Sequence, residues 1–274
     1  MYLINGQASA TLSVHDRGLH YGDGVFETLA VHNGTPLCWD QHYQRLARGC
    51  KQLQITCPQP DLLLTEARQL VRNAPQLVLK IIITRGEGGR GYRLPAAGTP
   101  VTRILGAFPW PVHPEKNYTE GVDLRICKTR LGKNPVLAGI KHLNRLEQIL
   151  ARSEWDNPEI AEGLMLDMDD NVIEGTMSNL FIINDNDLVT PDVSGCGIAG
   201  VVRACILGLA PDIGFKTIIK NIPASELYSA GEIFLCNSVI GLWPVLAIEG
   251  HKFRPGHGTG KIRNELVSQH IIVQ

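Results

Sequence analysis

The sequence has 274 residues, 26 basic and 27 acidic side chains, a formal net charge of -1 and 44% hydrophobic residues. A chain of this length and hydrophobic content can bury the core of one large domain or two smaller ones, so it need not be disordered. Its balanced charge lacks the basic surplus that contacts with phosphate require, so nucleic acid is not an expected partner. The longest apolar run, at 77–84, is far shorter than the ~20 residues that cross a bilayer, so no membrane span is predicted.

Cysteine and histidine placement gives no sign of a disulfide framework or a metal site. The seven cysteines never form a CxxC pair, and the first residues contain neither a basic leader nor a continuous apolar segment. These features predict a cytoplasmic protein with scattered thiols. His15 and His20 lie near Asp16 and Asp23 but lack the helical spacing of a zinc site, so no metal is predicted.

The first part of the chain predicts an α+β unit. Its elements, in chain order, are strands at 1–5 and 25–31, helices at 40–54 and 61–73, and strands at 77–84 and 102–108. Asp40 and Asp61 are candidate N-caps of the two helices. A glycine-rich passage, RGEGGRGYRLPAAGTP, separates the last two strands.

A proline-rich segment, PWPVHPEKN at 109–117, indicates a boundary between two domains at 1–112 and 113–274. The pattern then changes to shorter strands interrupted by helices. The predicted strands are 122–127, 163–167, 180–183, 215–220, 232–236 and 241–248, and the helices are 141–153, 200–209 and 259–270.

The glycine-rich passage satisfies GxGxxG through Gly86, Gly88 and Gly91. A dinucleotide site needs this motif to open a helix, but here it continues towards Pro95 and further breaks, so a Rossmann site is not expected. The passage instead predicts a flexible loop with three arginines, a residue type that binds carboxylates through two parallel hydrogen bonds. An ordinary solvated loop explains the same residues equally well.

Three further positions have candidate chemistry. Lys141 lies where a predicted helix begins, and burial together with the helix dipole would lower its pKa and favour a nucleophilic amine. Glu174 ends an apolar strand and could hold a protonated heterocycle, while Gly200 precedes a helix whose first amides could bind a phosphate. Taken singly, Lys141 and Glu174 are better explained as an ordinary first-turn lysine and a turn residue, and Gly200 can be a plain entry from a loop into a helix.

Together and in this order, the four segments resemble the fold-type IV family of pyridoxal 5'-phosphate enzymes, which includes branched-chain and D-amino-acid aminotransferases. The resemblance covers essentially the whole chain, from HYGDGVFET to CNSVIGLWPV. It implies a two-domain α+β fold, with a smaller N-terminal α/β domain, a larger C-terminal pseudo-barrel domain and the cofactor between them. RGEGGRGY and LAGIKHLNRLEQ resemble the lyases of this family. They imply an enzyme of folate synthesis that converts 4-amino-4-deoxychorismate to 4-aminobenzoate and pyruvate.

The resemblance also implies roles for individual residues. Lys141 would form the Schiff base and transfer the proton, and Glu174 would pair with the pyridine nitrogen. The cofactor phosphate would be bound by Arg45, Val201, Val202, Asn237 and Ser238. Arg90 and Tyr92 would lie on a loop that reaches from a neighbouring subunit and binds the substrate carboxylate, which implies a homodimer. The Thr28 hydroxyl could relay a proton near the substrate, or it could only form a hydrogen bond with the strand backbone. Relatives often add a threonine hydroxyl where the two valines offer amides alone.

Two alternatives remain open. A D-amino-acid or branched-chain aminotransferase would use the same lysine for a 1,3-proton shift. A catalytically silent binding protein would keep the core pattern without needing Lys141.

Overall fold

The computed structural model describes residues 1–72, 74–254 and 256–273. The chain divides into two compact units. The first comprises Met1–Pro111 together with Ile140–Asn144, and the second comprises Val112–Gly139 and Arg145–Gln274. Ile140–Asn144 therefore belongs to the first unit, although it follows the predicted boundary at 112/113 in the chain.

The first unit is built on a six-stranded sheet in the order β2-β1-β6-β5-β3-β4. Its strands are β1 (Tyr2–Ile4), β2 (Gln7–Ala8), β3 (Gly24–His32), β4 (Thr35–Pro36), β5 (Gln76–Thr84) and β6 (Thr102–Pro109). Its helices are α1 (Arg17–Tyr21), α2 (Trp39–Gln52) and α3 (Pro60–Val71). The segment DRGLHYGDG, at 16–24, contains the short helix α1, which Asp16 caps by accepting a hydrogen bond from the Gly18 amide.

Strands β3 and β5 bury alternate residues, as the period of a strand requires. Leu29 and Val31 of β3 and Leu79, Ile81 and Ile83 of β5 are almost completely buried. They form one core with apolar residues of α2 and α3. On the opposite face of the sheet, the alternate residues of β3 and β5 are mostly half-buried.

The two helices lie where they were predicted, but their N-caps differ. Helix α2 has Cys38 as its N-cap, so Asp40 lies in the first turn. Helix α3 has Gln59 as its N-cap and Pro60 in the first turn, a position where the missing amide of proline costs no helical hydrogen bond. Asn73, the last residue of the predicted helix, lies outside the described residues.

The second unit contains a ten-stranded sheet whose main path is β12-β11-β10-β14-β15-β7-β8-β9-β13, with β16 paired to β15. The strands are β7 (Val122–Leu131), β8 (Ile160–Asp167), β9 (Asn171–Gly175), β10 (Asn179–Asn184), β11 (Asp187–Pro191), β12 (Lys216–Lys220), β13 (Ile222–Pro223), β14 (Glu232–Asn237), β15 (Gly241–Ile248) and β16 (His251–Lys252). The helices are α4 (Lys116–Thr119), α5 (Leu146–Arg152), α6 (Val201–Leu209) and α7 (His257–Ser268), with 3-10 turns at Pro211–Ile213 and Ala224–Ser229. Within the described ranges, no helix is long and apolar enough to cross a membrane.

The predicted helix at 141–153 is wrong in its first turn, because α5 begins only at Leu146. The residues before it pair with the edge of β3 instead. His142 forms an antiparallel bridge with Val25, and the Leu143 amide donates a 3.0 Å hydrogen bond to the Gly24 carbonyl. Pairing with an existing strand satisfies these backbone groups and outweighs the helical spacing of the leucines.

Candidate functional site

Lys141 lies opposite Phe26 at the edge of the six-stranded sheet. The Phe26 amide donates a 2.9 Å hydrogen bond to the Lys141 carbonyl, and the adjacent Val25–His142 bridge sets an antiparallel register. Directly opposed residues share a face, and the Lys141 Nζ lies 4.5 Å from the centre of the Phe26 ring. Lys141 is half-buried and lies before α5. It is therefore next to an aromatic ring at a strand edge, and not in the first turn of a helix as the sequence predicted.

Thr28 and Lys80 occupy the same sheet face as Phe26. They are directly opposed in the register of β3 and β5, and both are half-buried. The Lys80 Nζ lies 5.2 Å from the centre of the Phe26 ring, so ammonium groups of two lysines lie near one aromatic ring. The sequence pattern does not single out Lys80, although a lone charge inside the apolar run LVLKIIIT is a usable signal.

Arg45 is buried on α2 and binds Glu27 of β3 through two of its nitrogens. The distances are 2.8 Å from Nε to Oε1 and 2.5 Å from the terminal nitrogen to Oε2. His42, one turn before Arg45, places Nδ1 at 2.6 Å from the same Oε2. The predicted phosphate-binding arginine is therefore held by a buried carboxylate that sequence spacing does not reveal.

The surroundings of this cluster lower the pKa values of both Glu27 and His42, for different reasons. Burial raises the pKa of Glu27, but the Arg45 charge and hydrogen bonds from Arg45 and His42 outweigh it and lower the pKa to about 2. Burial lowers the pKa of His42, and the charges of Arg45 and Lys141 lower it further, against the effect of Glu27. Glu27 is therefore a carboxylate and His42 a neutral imidazole, and Nδ1 must carry the proton that it donates to Glu27.

Glu174 lies in β9 of the second unit and is buried, with 2% of its surface exposed. Its Oε2 accepts a 2.8 Å hydrogen bond from the Ile198 amide. Gly197 has a φ of +88°, and a Cβ added there would lie 2.6 Å from Cγ2 of Ile173 and 3.4 Å from the Glu174 carboxylate. The glycine thus lets the backbone approach a buried carboxylate closely.

Arg145 is the N-cap residue of α5 and interacts electrostatically with Glu174. Burial lowers the pKa of Arg145, and Glu174 and Glu147 oppose that shift. An arginine keeps its charge under such conditions, so it supports the ionised form of a neighbouring carboxylate. Arg145 lies in the segment KHLNRLEQ, at 141–148, but its position in the chain does not indicate that it interacts with Glu174.

Val201 and Val202 form the first turn of α6, and both are buried. Gly200 is the N-cap in extended conformation, without a hydrogen bond from a capping side chain. The first amides of a helix have no acceptor within it, so this end is suited to an anion. A Cβ at Gly200 would lie 2.0 Å from the Oδ1 of Asn179, whose Nδ2 donates a 2.9 Å hydrogen bond to the Ile198 carbonyl.

Asn237 and Ser238 lie at the end of β14 and in the turn after it, and both are half-buried. The Asn237 Oδ1 accepts hydrogen bonds from the Val239 and Ile240 amides at 2.7 and 2.8 Å. Its Nδ2 donates to the Met177 carbonyl at 3.0 Å. The Asn237 side chain thus builds the turn itself, and a phosphate role for the pair stays a prediction.

Arg90 and Tyr92 are exposed in the glycine-rich loop, Tyr92 with 86% of its surface. Gly91 between them is held from both sides. Its amide donates a 3.0 Å hydrogen bond to the Tyr21 hydroxyl, and its carbonyl accepts one of 3.0 Å from Arg17. The loop is therefore anchored next to its two predicted substrate-binding residues.

Residues 24–248 match the family of class IV amino-transferases. The chain belongs to this family, and its fold is the α+β fold of fold-type IV enzymes, as the motifs predicted.

Individual relatives match over nearly the full length. The aminodeoxychorismate lyase of Vibrio harveyi is 35% identical over 266 residues, which cover 97% of this chain and 98% of the relative. The crystal structure of 4-amino-4-deoxychorismate lyase from Pseudomonas aeruginosa is 46% identical, with a TM-score of 0.94 and 98% of each chain covered. The branched-chain amino acid aminotransferase of Escherichia coli is 25% identical, with a TM-score of 0.88 and coverage of 97% of this chain and 93% of that one.

Proposed function

We propose that this protein is a pyridoxal 5'-phosphate-dependent lyase that converts 4-amino-4-deoxychorismate to 4-aminobenzoate and pyruvate. The observation that carries the proposal is the similarity to two enzymes named for this reaction, at 35% and 46% identity over almost the whole chain. A half-buried lysine at a strand edge supplies the amine that the reaction needs. The aminotransferase alternative draws support from the lower, 25% identity to a branched-chain enzyme.

The residues fit the cofactor group by group. Lys141 offers the amine, the α6 N-terminus with Val201 and Val202 offers amides for the phosphate, and buried Glu174 offers an anion for the pyridine nitrogen. Arg45, Asn237 and Ser238 are proposed as further phosphate ligands. When bound, the cofactor supplies an electron sink for the carbanion that forms at C4 of the substrate.

Lys141 handles the proton in this scheme. Its Nζ, which lies over Phe26, takes the proton from C4 of the substrate. The bond between C3 and the enolpyruvyl oxygen then breaks, the ring becomes aromatic, and protonation of the released enolate gives pyruvate. Aromatisation provides the driving force, so the chain has mainly to orient the substrate and move the proton.

Substrate carboxylates need cations, and the glycine-rich loop and the sheet face around Phe26 provide them. Arg90 and Tyr92 lie on the anchored loop, and we propose that they bind one carboxylate. Lys80 shares a sheet face with Lys141 and adds a second cation for the other carboxylate. Thr28, directly opposite Lys80, is proposed to hold a proton on its hydroxyl near the substrate.

The assembly is proposed to be a homodimer. Helix α5 exposes three apolar side chains, Leu146, Ile149 and Leu150, with 72%, 61% and 58% of their surfaces accessible. Adjacent apolar side chains on a short helix are costly to leave in water, and a second copy of the chain would cover them.

The protein is proposed to lie in the cytoplasm. The seven cysteines are present as thiols, which fits the reducing cytoplasm.

The absorption spectrum of the purified protein with added pyridoxal 5'-phosphate tests the cofactor assignment. We expect a visible band that Lys141→Ala abolishes and Lys80→Ala retains, because only the first lysine bonds to the cofactor. A protein that stays colourless would support the silent binding protein. A band that survives in Lys141→Ala would show that another amine carries the cofactor.

A further inference from the structure

Two cysteines lie together where α2 leads into α3. Cys50 faces the core near the end of α2 and is fully buried, whereas Cys57 is half-buried in the connecting segment. The Ile55 amide donates a 2.8 Å hydrogen bond to the Cys50 carbonyl, which turns the chain back on itself. Both side chains then pack into the same apolar cluster.

Tyr43 and Cys50 lie two turns apart on the same face of α2, and Cys57 packs into the same apolar cluster with its Sγ next to the Tyr43 hydroxyl, so the three side chains form one group. The Cys57 Sγ lies 4.0 Å from the Tyr43 hydroxyl, which itself donates a 3.0 Å hydrogen bond to the Pro58 carbonyl. Interaction with the Cys50 thiol, and more weakly with Tyr43, lowers the pKa of Cys57 against the effect of burial. The same interaction, together with burial, raises the pKa of Cys50. Cys57, which is half-buried, is therefore the more reactive thiol of the two, and the fully buried Cys50 is its protonated neighbour.

The turn between the two cysteines is held in place by a third element. Arg85 donates hydrogen bonds of 2.6 and 2.7 Å to the carbonyls of Leu53 and Gln54. The same arginine is paired with Asp23 at 2.7 Å, so its position is fixed from both sides. The segment that brings the thiols together thus keeps its shape without a covalent bond.

We propose that Cys57 is a peroxide-reactive thiol and that Cys50 resolves its oxidised form to an intramolecular disulfide. In the first step, the Cys57 thiolate attacks one oxygen of a hydroperoxide, the O–O bond breaks, and a sulfenic acid and an alcohol or water form. In the second, the Cys50 sulfur attacks the Cys57 sulfur, the S–O bond breaks, and water leaves with the Cys50 proton. The two thiols lose two electrons together, and the hydroperoxide gains them.

The other cysteines provide internal references. Cys127, Cys196 and Cys236 are buried, and burial raises their pKa values to about 12, 11 and 12. Thiols in such surroundings are unreactive at neutral pH. Cys38 and Cys205 are half-buried like Cys57, so they test whether exposure alone determines reactivity.

Peptide mapping of the intact protein tests the proposal directly. The protein is treated with hydrogen peroxide, denatured, alkylated and digested with trypsin. Because Lys51 lies between the two cysteines, cleavage after it places Cys50 and Cys57 on separate peptides, 49–51 and 52–68. We expect these peptides to become covalently linked, with loss of two hydrogen atoms and of alkylation at both positions. Reduction should restore the separate peptides.

Two variants separate the roles of the thiols. In Cys50→Ser, Cys57 should form a sulfenic acid that dimedone traps, and in Cys57→Ser, Cys50 should stay alkylatable after denaturation. Faster oxidation of Cys57 than of Cys38 and Cys205 supports the proposal. Equal oxidation of the three half-buried thiols, or full alkylation of Cys57 after a peroxide dose that oxidises glutathione, overturns it. The wild-type map decides the matter even where a variant fails to fold.

Discussion

The Glu27–Arg45 pair places a carboxylate and a guanidinium where only 1% and 6% of their surfaces are exposed. Glu27→Gln leaves the Arg45 charge without its anion, which costs about 3 kcal/mol in a buried pair. We expect a loss of that size in the free energy of urea unfolding of the cofactor-free protein at neutral pH. Asp61→Asn, an acid-to-amide change in the first turn of α3, is the matched control and should change the stability by less than about 1 kcal/mol.

The Glu27–Arg45 pair makes the free energy of unfolding depend on pH in the acidic range. The pKa of Glu27 is lowered from 4.5 to about 2, so the folded protein binds its proton less readily than the unfolded chain does. Its contribution is complete above about pH 4.5 and disappears as the pH falls through about 2. The stability difference between wild type and Glu27→Gln should therefore shrink over this interval. A difference that stays constant down to pH 2 would contradict the assigned carboxylate.

Tyr21 contacts the substrate loop in two ways: its hydroxyl accepts a hydrogen bond from the Gly91 amide, and its ring packs edge-on against Tyr92. Tyr21→Phe removes that acceptor and loosens Arg90 and Tyr92, at a cost of about 1 kcal/mol. We expect a rise in the KM for the substrate of about fivefold with kcat nearly unchanged, as uniform loss of binding requires. Tyr228→Phe, the same change in the second unit, is the control. An unchanged KM would show that the anchor does not position the loop.

The sequence predicted the candidate site residues but not the side chains that surround them. The motif context singled out Lys141, Glu174 and Arg45, whose roles still await a test. The partners Glu27, Lys80 and Arg145 could not be found that way, because their proximity depends on strand register and on packing rather than on spacing in the chain.

At the scale of elements, two glycines of one helix offer a matched comparison. Gly200→Ala puts a Cβ 2.0 Å from Asn179 Oδ1 and so displaces the N-terminus of α6, whereas nothing lies within 4 Å of a Cβ at Gly208. We expect Gly200→Ala to raise the Kd for pyridoxal 5'-phosphate at least about tenfold, equivalent to about 1.4 kcal/mol. Gly208→Ala should leave the Kd unchanged and stabilise the helix by about 0.5–1 kcal/mol. Equal Kd values for both variants would argue against a phosphate at this helix end.

The prediction of a helix from 141 was wrong where residues before α5 pair with a strand that is distant in the sequence. The apolar spacing around Leu143 fits a helix, yet that residue is bonded to the edge of β3. Conversely, most strands of the second unit were predicted because their apolar runs are short and bounded by glycine, proline or asparagine. The predicted N-caps Asp40 and Asp61 are wrong because each helix begins two residues earlier, with Cys38 and Gln59 as N-caps.

At the scale of the whole molecule, the apolar face of α5 gives a test of the proposed homodimer. Leu150→Glu introduces a charge next to Leu146 and Ile149, which would lie in a desolvated interface and cost several kcal/mol there. We expect light scattering to report half the mass of the wild-type assembly. Met168→Glu, a change at another exposed apolar residue with 67% of its surface accessible, should leave the mass unaltered. A monomeric wild type would contradict the proposal.

The product balance with 4-amino-4-deoxychorismate tests the proposed lyase most directly. The purified protein loaded with pyridoxal 5'-phosphate is incubated with this substrate without any amino acceptor, and both products are quantified by chromatography. The account predicts equal amounts of 4-aminobenzoate and pyruvate, and none from Lys141→Ala. Absence of both products, together with amino transfer from an amino acid to 2-oxoglutarate, would contradict it and assign the protein to the aminotransferases.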